Sequence, residues 1–145
     1  KNRTVTNIRK IFQKFGGNLG ESGAVAHQFN QRGIIRIDKK KISDNDILEL
    51  AINSGAEDCS SENLYHEIIT TKENFNKVKL NIEKKIKDFI SSGIEWMPIN
   101  KVLLNEEKTK SVLNFLTILE DDDDVQHVYA NLKIDNAKLQ KALTA

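Results

Sequence analysis

The chain has 145 residues, of which 39% are hydrophobic and 30% are charged, with one proline and one cysteine. This length suits one compact domain or two small lobes, and no stretch reaches the roughly 20 apolar residues that a membrane helix needs. The start also lacks the apolar segment of a signal peptide. We therefore expect a soluble intracellular protein, cytoplasmic in a bacterium or in the mitochondrial matrix of a eukaryote.

The net charge is only +1, but its distribution along the chain is uneven. Residues 1–41 carry ten Lys and Arg against two Asp and Glu, whereas residues 42–145 carry twelve against nineteen. A chain polarised in this way presents one face to polyanions, and nucleic acid is the obvious class of partner. The chain begins at Lys1 without a methionine, which suggests that an N-terminal part has been removed.

The sequence contains few residues suited to catalysis, metal binding or disulfide formation. Cys59 is alone, so no internal disulfide can form, and the three histidines are too scattered for zinc spacing. His27, His66 and His127 lie in strand-like runs without a recognisable nucleophile motif. We expect a non-enzymatic protein that needs neither a metal nor an organic cofactor.

The first predicted element is an amphipathic helix in "KNRTVTNIRKIFQKFGG", with Thr4 as a possible N-cap and Gly16 just past its end. Its apolar positions at helical spacing are Val5, Ile8, Ile11, Phe12 and Phe15. On the opposite face Arg9 and Gln13, and Lys10 and Lys14, lie one turn apart. No acidic residue precedes Glu21, so this face is either simply solvated or contacts successive phosphates.

Two strands, "AVAHQF" and "GIIRID", are predicted next, joined at "NQRG" as a hairpin. Arg36 alternates with Ile35 and Ile37 and should point to the solvent face of its strand. If the hairpin lies beside the first helix, the basic patch extends further. The full set of candidate nucleic-acid contacts is then Lys1, Arg3, Arg9, Lys10, Lys14, Arg32, Arg36, Lys39, Lys40 and Lys41.

A second helix should be capped by Ser43 or Asp44 and end at Gly55. The segments "AEDCS" and "LYHEIITT" read as short strands, and residues 72–92 as a lysine-rich helix that ends at Gly93. "IEWMPI" is a further strand, which Pro98 restricts to an edge or a strand end.

The remaining elements are a helix in "NEEKTKSVLNFLTILED", a strand in "DVQHVYANLKI" and a short terminal helix in "NAKLQKAL". Helices interleaved with short strands predict an α+β protein, built of small sheets each covered on one face by helices.

Two further motifs have unremarkable explanations. "GGNLG" follows a helix, whereas a phosphate-binding loop precedes one, so it is interpreted as a helix C-cap. The run Asp121–Asp124 lacks the alternate spacing and closing glutamate of a calcium loop and is interpreted as a solvated turn. Trp96, Tyr65 and Tyr129 are expected in the core or at a lobe interface rather than on a base-stacking platform.

The segments "KNRTVTNIRKIFQKFGGNLGESGAVAHQF" and "LEDDDDVQHVYANLKI" strongly resemble the YebC/PmpR family, and "GAEDCSSE", "TTKENFNKV" and "WMPINKV" resemble its middle section. The resemblance implies two ferredoxin-like lobes, one inserted into the other, with the family's N-terminal helical domain absent. It places residues 1–41 with 105–145 in one lobe and residues 42–104 in the inserted lobe. A leading strand before Lys1 is needed to complete the first lobe.

The resemblance also implies function. Bacterial members are described as probable transcriptional regulators that bind promoter DNA, while others are ribosome-associated, and mitochondrial members activate translation. The first hypothesis is therefore DNA-binding transcriptional regulation, and the second is translation control through ribosomal RNA and ribosomal protein. A third hypothesis makes the fragment a protein-interaction module, with nucleic-acid binding in the absent helical domain. No membrane partner is expected.

Overall fold

The structure, a computed structural model, describes residues 2–134, with side chains from residue 3. Lys1 and the predicted terminal helix "NAKLQKAL" lie outside these residues. The helices are α1 (Asn2–Lys14), α2 (Asp44–Ser54), α3 (Phe75–Glu83) and α4 (Glu106–Glu120). The strands are β1 (Phe29–Asp38), β2 (Asp58–Ser61), β3 (Tyr65–Thr71), β4 (Ser91–Pro98), β5 (Val102–Leu103) and β6 (Leu132–Lys133). The predicted α+β class is confirmed.

The chain divides into two compact units. Unit 2 is the continuous segment Asn30–Met97, and the described part of unit 1 consists of residues 2–29 and 98–134. These limits differ from the expected lobes, because residues 30–41 belong to unit 2 and residues 98–104 to unit 1. The reason is that β1 pairs with β3, so its hydrogen bonds are made inside unit 2.

Unit 2 has the order β1-α2-β2-β3-α3-β4, and its sheet has the strand order β2-β3-β1-β4. That combination is the ferredoxin-like arrangement. β3 runs antiparallel to both β1 and β2, with Ile35 opposite Ile68 and Cys59 opposite Ile68 on the other side. The complete six-element pattern is thus found in the inserted unit, with β1 supplied by residues that were expected in the other lobe.

The core of unit 2 lies between one face of this sheet and the two helices. Ile35 and Ile37 of β1 pack with Ile68 of β3 against residues of α2 and α3. The fully buried helical members are Ile47, Ala51, Val78 and Ile82. Side chains alternate along a strand, so Ile34 and Arg36 lie on the sheet face opposite the helices.

The predicted caps of α2 are confirmed. The Ser43 hydroxyl accepts a hydrogen bond from the Asp46 amide at 3.1 Å, and Gly55 ends the helix in a left-handed conformation with φ of 95°. Asp44 and Asp46 occupy the first turn, where the helix dipole favours negative charge.

The predicted hairpin at "NQRG" is wrong. Residues 22–25 form turns, Ala26–Gln28 is a 3-10 helix, and Phe29–Asp38 is one uninterrupted strand. Gly33 is not a turn residue: a Cβ atom there would collide with the Thr70 hydroxyl and lie 2.5 Å from Phe75 Cδ1. The glycine therefore permits close packing in the middle of a strand, which a sequence pattern cannot distinguish from a turn.

The predicted helix over 72–92 is too long. α3 covers only Phe75–Glu83, and the chain is extended again from Ser91 because β4 pairs along β1. The Ile90 amide already donates to the Arg36 carbonyl at 2.8 Å. Pro98 is the last residue of β4, which is an edge strand, as predicted.

In unit 1, α1 packs against α4 through aromatic side chains. The Phe12 and Phe115 rings meet edge-on at 4.9 Å between centroids, and the Phe15 and Phe115 rings lie 5.3 Å apart. Each such pair adds about 0.5–1.5 kcal/mol beyond its burial. Thr4 is not the N-cap, since α1 begins at Asn2, and its hydroxyl instead donates to Asp124 Oδ2 at 2.6 Å.

The predicted strand in "DVQHVYANLKI" is confirmed only at its end. Leu132–Lys133 pairs in parallel with Val102–Leu103 in a two-stranded sheet. Among the described helices, none is long and apolar enough to cross a membrane.

Candidate nucleic-acid interface

The α1 basic face is formed by four of the predicted side chains, Arg3, Arg9, Lys10 and Lys14, all of which are exposed. Arg3, Lys10 and Lys14 are separated by seven and four residues, which aligns them in one row on a 3.6-residue helix. Lys10 and Lys14 are offset by about 6 Å along the helix axis. Arg9 flanks this row on the same exposed side.

This face lies away from α4, because the apolar residues of α1 point towards Phe115. Within residues 3–134, no carboxylate forms an ion pair with Arg3, Arg9, Lys10 or Lys14. Lys14 Nζ lies 5.9 Å from the centroid of the Phe15 ring, a favourable cation–π distance. The α1 basic face therefore presents unneutralised positive charge to solvent.

The acidic turn at Asp121–Asp124 belongs to the same unit and contacts α1 at its other side. Asp124 accepts the Thr4 hydrogen bond, and its own amide donates to Asp122 Oδ1 at 2.9 Å. The Asp122 amide donates to the Leu119 carbonyl, which closes the end of α4. The Asp122 carboxylate thus accepts a backbone amide and that of Asp124 a hydroxyl, and neither forms an ion pair with the α1 basic face.

Lys1 lies outside the described residues, and the other predicted contacts lie in unit 2, where most of them have intramolecular partners. Arg32 Nε lies 3.1 Å from Glu57, Lys39 Nζ 3.0 Å from Asp44, and Lys41 Nζ 3.6 Å from Asp88. Lys39 and Lys41 also donate to the carbonyls of Glu62 and Asp88. Lys40 is exposed, and its side chain has no ion pair within the described chain.

Arg36 is the most strongly engaged of these cations. Its Nη1 lies 2.7 Å from Glu95 Oε2, its Nη2 lies 3.2 Å from Glu95 Oε1, and its Nε lies 3.2 Å from Glu67 Oε2. The guanidinium thus joins β4, β1 and β3 across one sheet face. The hydrogen bond with Glu95 raises the pKa of Arg36, against a smaller opposing effect of burial. Arg36 lies on the sheet face opposite the helices, as strand alternation predicts, but its guanidinium is engaged there by acids of the neighbouring strands.

A buried histidine links α2 to the β2–β3 hairpin. His66 is fully buried; its Nε2 lies 2.8 Å from the Ile42 carbonyl and its Nδ1 lies 2.7 Å from the Ser61 hydroxyl. A carbonyl only accepts, so Nε2 carries a proton; in the neutral ring Nδ1 is then the acceptor of the Ser61 hydroxyl. Asp44 Oδ1 lies 3.8 Å from Nδ1. The arrangement satisfies a buried polar ring, which agrees with the structural role expected for this histidine.

A basic surface that sequence reasoning missed lies along α3. The α3 groove has a volume of about 600 Å³ and is lined by Lys77, Leu80, Asn81, Glu83, Lys84 and Lys87. Lys77, Leu80 and Lys84 are separated by three and four residues, so they share one helical face. That spacing was visible in the sequence, but the overlong helix predicted over 72–92 concealed where the face ends.

The described residues form no metal site, because nowhere among them do three His, Cys, Asp or Glu side chains come together. Cys59 is half-buried, and burial, with smaller contributions from Asp58 and Asp44, raises the pKa of its thiol. This thiol is therefore less reactive than an exposed cysteine.

The fold is α+β, with a ferredoxin-like unit inserted in the sequence of a unit that carries the exposed α1 basic face. Residues 1–132 match the family model described as TACO1/YebC second and third domain. The chain belongs to this family, as its sequence motifs indicated.

Similar proteins support the same assignment. A Pelagibacter ubique protein is 54% identical over 136 residues, covering 94% of this chain and 56% of its own length. A Caldicellulosiruptor saccharolyticus protein is 46% identical over 132 residues, covering 90% of this chain and 54% of its own. Both bear the name "Probable transcriptional regulatory protein". The chain spans about half the length of these relatives.

A solved structure has the same fold. The crystal structure of the conserved hypothetical protein Aq1575 from Aquifex aeolicus matches with a TM-score of 0.85 and 41% identity. The match covers 92% of this chain and 56% of that protein.

Proposed function

We propose that this chain is the nucleic-acid-binding part of a non-enzymatic regulator of gene expression, and that the α1 basic face holds the phosphate backbone. The observation that carries the proposal is the row of Arg3, Lys10 and Lys14 with Arg9 beside it, exposed and without ion pairs among residues 3–134. Phosphates supply the opposite charge that these side chains lack within the described fold.

Binding of this kind is driven by counterion release and is strongly dependent on salt. Four cations that each neutralise one phosphate predict that affinity for a duplex falls roughly a hundredfold between about 50 and 200 mM salt. The same contacts carry no sequence information, so they position the protein rather than select a site.

Transcriptional regulation on duplex DNA is the first candidate, supported by the names of the relatives. A 13-residue helix is narrow enough for the major groove, where side-chain amides read base edges. Asn7 and Gln13 are exposed beside the basic row and can supply such amides. Arg32, Arg36, Lys39 and Lys41 are already paired, so the contribution of unit 2 must come from other residues.

Translational regulation is the second candidate, and the observation that favours it is the α3 groove, where three exposed lysines surround an exposed leucine. Both candidates use the α1 basic face. Sequencing of nucleic acid that co-purifies at low salt separates them: genomic DNA supports the first and ribosomal RNA the second.

Charge reversal tests the contact between the α1 basic face and phosphate, which both candidate functions require. The Arg9→Glu, Lys10→Glu, Lys14→Glu variant should lose at least tenfold in affinity for a nucleic-acid probe, measured by fluorescence anisotropy. The matched control reverses Lys85, Lys101 and Lys108, three exposed lysines elsewhere on the chain, and should lose much less. Equal affinities of the two variants would refute the assignment of α1.

A further inference from the structure

The α3 groove combines a basic rim with an exposed apolar side chain. Its rim carries three exposed ammonium groups, those of Lys77, Lys84 and Lys87, against a single carboxylate, that of Glu83. Within the part of the chain that the structure describes, none of the three lysines forms an ion pair. Between them lies Leu80, which is 63% exposed although it is a large apolar side chain.

The charge pattern selects an anionic ligand, and the leucine restricts which one. A phosphate alone gains nothing from Leu80, whereas a nucleotide places its phosphates on the ammonium groups and its base on the apolar surface. In a duplex the base faces are already stacked, so they are available only in a single strand. The groove therefore fits an unpaired nucleotide segment.

Asn81 offers a contact that single-stranded RNA can make and single-stranded DNA cannot. Its Nδ2 lies 3.4 Å from the Ser54 carbonyl, which can only accept, so the amide nitrogen is the atom that faces Ser54. Asn81 lines the groove, and among the described residues no protein donor is bonded to its Oδ1, which remains an acceptor for a ligand. A ribose 2′-hydroxyl is a donor of the required kind, and deoxyribose has none.

We propose that the α3 groove binds a single-stranded RNA segment. Lys77, Lys84 and Lys87 hold its phosphates, Leu80 contacts a base face, and Asn81 Oδ1 accepts from a 2′-hydroxyl. This proposal rests on the proposed nucleic-acid function and adds to it a second contact surface in unit 2, independent of the α1 basic face.

Binding should be measured with the 145-residue chain and two fluorescent 12-mers, oligouridine RNA and the matching deoxyuridine strand. The groove variant is Lys77→Gln, Lys84→Gln, Lys87→Gln, and its control replaces Lys85, Lys101 and Lys108 by Gln, which gives the same net charge. The groove variant should bind RNA at least tenfold more weakly than the control. Its plot of log affinity against log salt should be shallower by about 2, as three lost phosphate contacts require.

The Asn81→Ala variant tests the assignment to RNA. The unmodified protein should prefer the ribose strand, and the variant should bind both strands equally; thermal unfolding verifies that the variant is folded. An unmodified protein that binds both strands equally would overturn the RNA assignment. A groove variant that binds like its control would refute the proposal that the α3 groove binds nucleic acid.

A third variant, Arg9→Gln, Lys10→Gln, Lys14→Gln, separates this inference from the proposed function. Loss in this variant with retention in the groove variant would leave the α1 basic face standing and refute the groove. Loss in the groove variant alone would support the groove and show that the α1 basic face does not hold single-stranded RNA; the duplex probe then decides whether α1 binds nucleic acid at all.

Discussion

Arg36 and Glu95 are joined by two hydrogen bonds across neighbouring strands, with donor–acceptor distances of 2.7 and 3.2 Å. Both side chains are about three-quarters buried, and Glu67 adds a third contact at 3.2 Å. Two-pronged contacts between guanidinium and carboxylate are among the strongest hydrogen bonds in proteins. Arg36 is therefore a residue of the sheet rather than of a binding surface.

The first prediction concerns this cluster. Arg36→Gln leaves Glu67 and Glu95 close together without their counter-ion, so we expect the free energy of unfolding to fall by about 1–3 kcal/mol. Arg32→Gln is the matched control on the same strand; its single, more exposed contact with Glu57 is worth below about 1 kcal/mol. Urea unfolding measures both. An equal and small effect of the two substitutions would contradict the role assigned to Arg36.

Gly33 gives a second prediction. The Gly33→Ala substitution places a methyl group against Thr70 and Phe75, and overpacking of this kind costs about 1–3 kcal/mol. Gly93→Ala is the control, because no atom lies within 4 Å of a Cβ at that position of β4. Thermal unfolding should show a clear drop in the melting temperature for the first variant and little change for the second. A tolerated alanine at position 33 would mean that β1 and α3 are less closely packed than described.

The buried His66 ring gives a third prediction. Ser61→Ala removes the hydrogen-bond partner of Nδ1 and should destabilise unit 2 by about 1 kcal/mol, since a buried polar atom is left unsatisfied. Ser60→Ala, on the neighbouring residue of β2, removes a hydroxyl that forms no hydrogen bond with the described residues. Chemical denaturation should separate the two variants. Indistinguishable midpoints would argue against the Ser61–His66 hydrogen bond.

Cys59 supplies a pH-dependent prediction. Burial raises the pKa of its thiol, so the neutral form is favoured in the folded state. The corresponding stabilisation is complete below the pKa of the unfolded thiol and is lost as the pH rises through the folded value. The rate of reaction with a disulfide reagent should therefore reach half its maximum at a higher pH in folded than in urea-unfolded protein. A midpoint at the same or a lower pH would contradict this.

Sequence patterns predicted best what depends on local chemistry. The Ser43 cap, the left-handed Gly55 and the position of Pro98 follow from the conformations that these residues favour, and all three are confirmed. The family and the α+β class were also recognisable from motifs spread along the chain.

What depends on pairing between distant residues was predicted less well. Gly33 resembles a turn residue until Thr70 and Phe75 are placed against it, and the end of α3 is decided by the pairing of β4 with β1. The basic residues show the same limit. The sequence gives no means of telling Arg9 from Arg36, because both are basic residues of regular elements. In the fold only Arg36 has carboxylates of neighbouring strands beside it.

The central claim, that the α1 basic face binds nucleic-acid phosphates, is tested most directly by the salt dependence of binding to a duplex probe. The slope of log affinity against log salt should be shallower by between 2 and 3, roughly, in the Arg9→Gln, Lys10→Gln, Lys14→Gln variant than in the unmodified chain, because three phosphate contacts are lost. An unchanged slope in a folded variant would show that these side chains form only a solvated helix face.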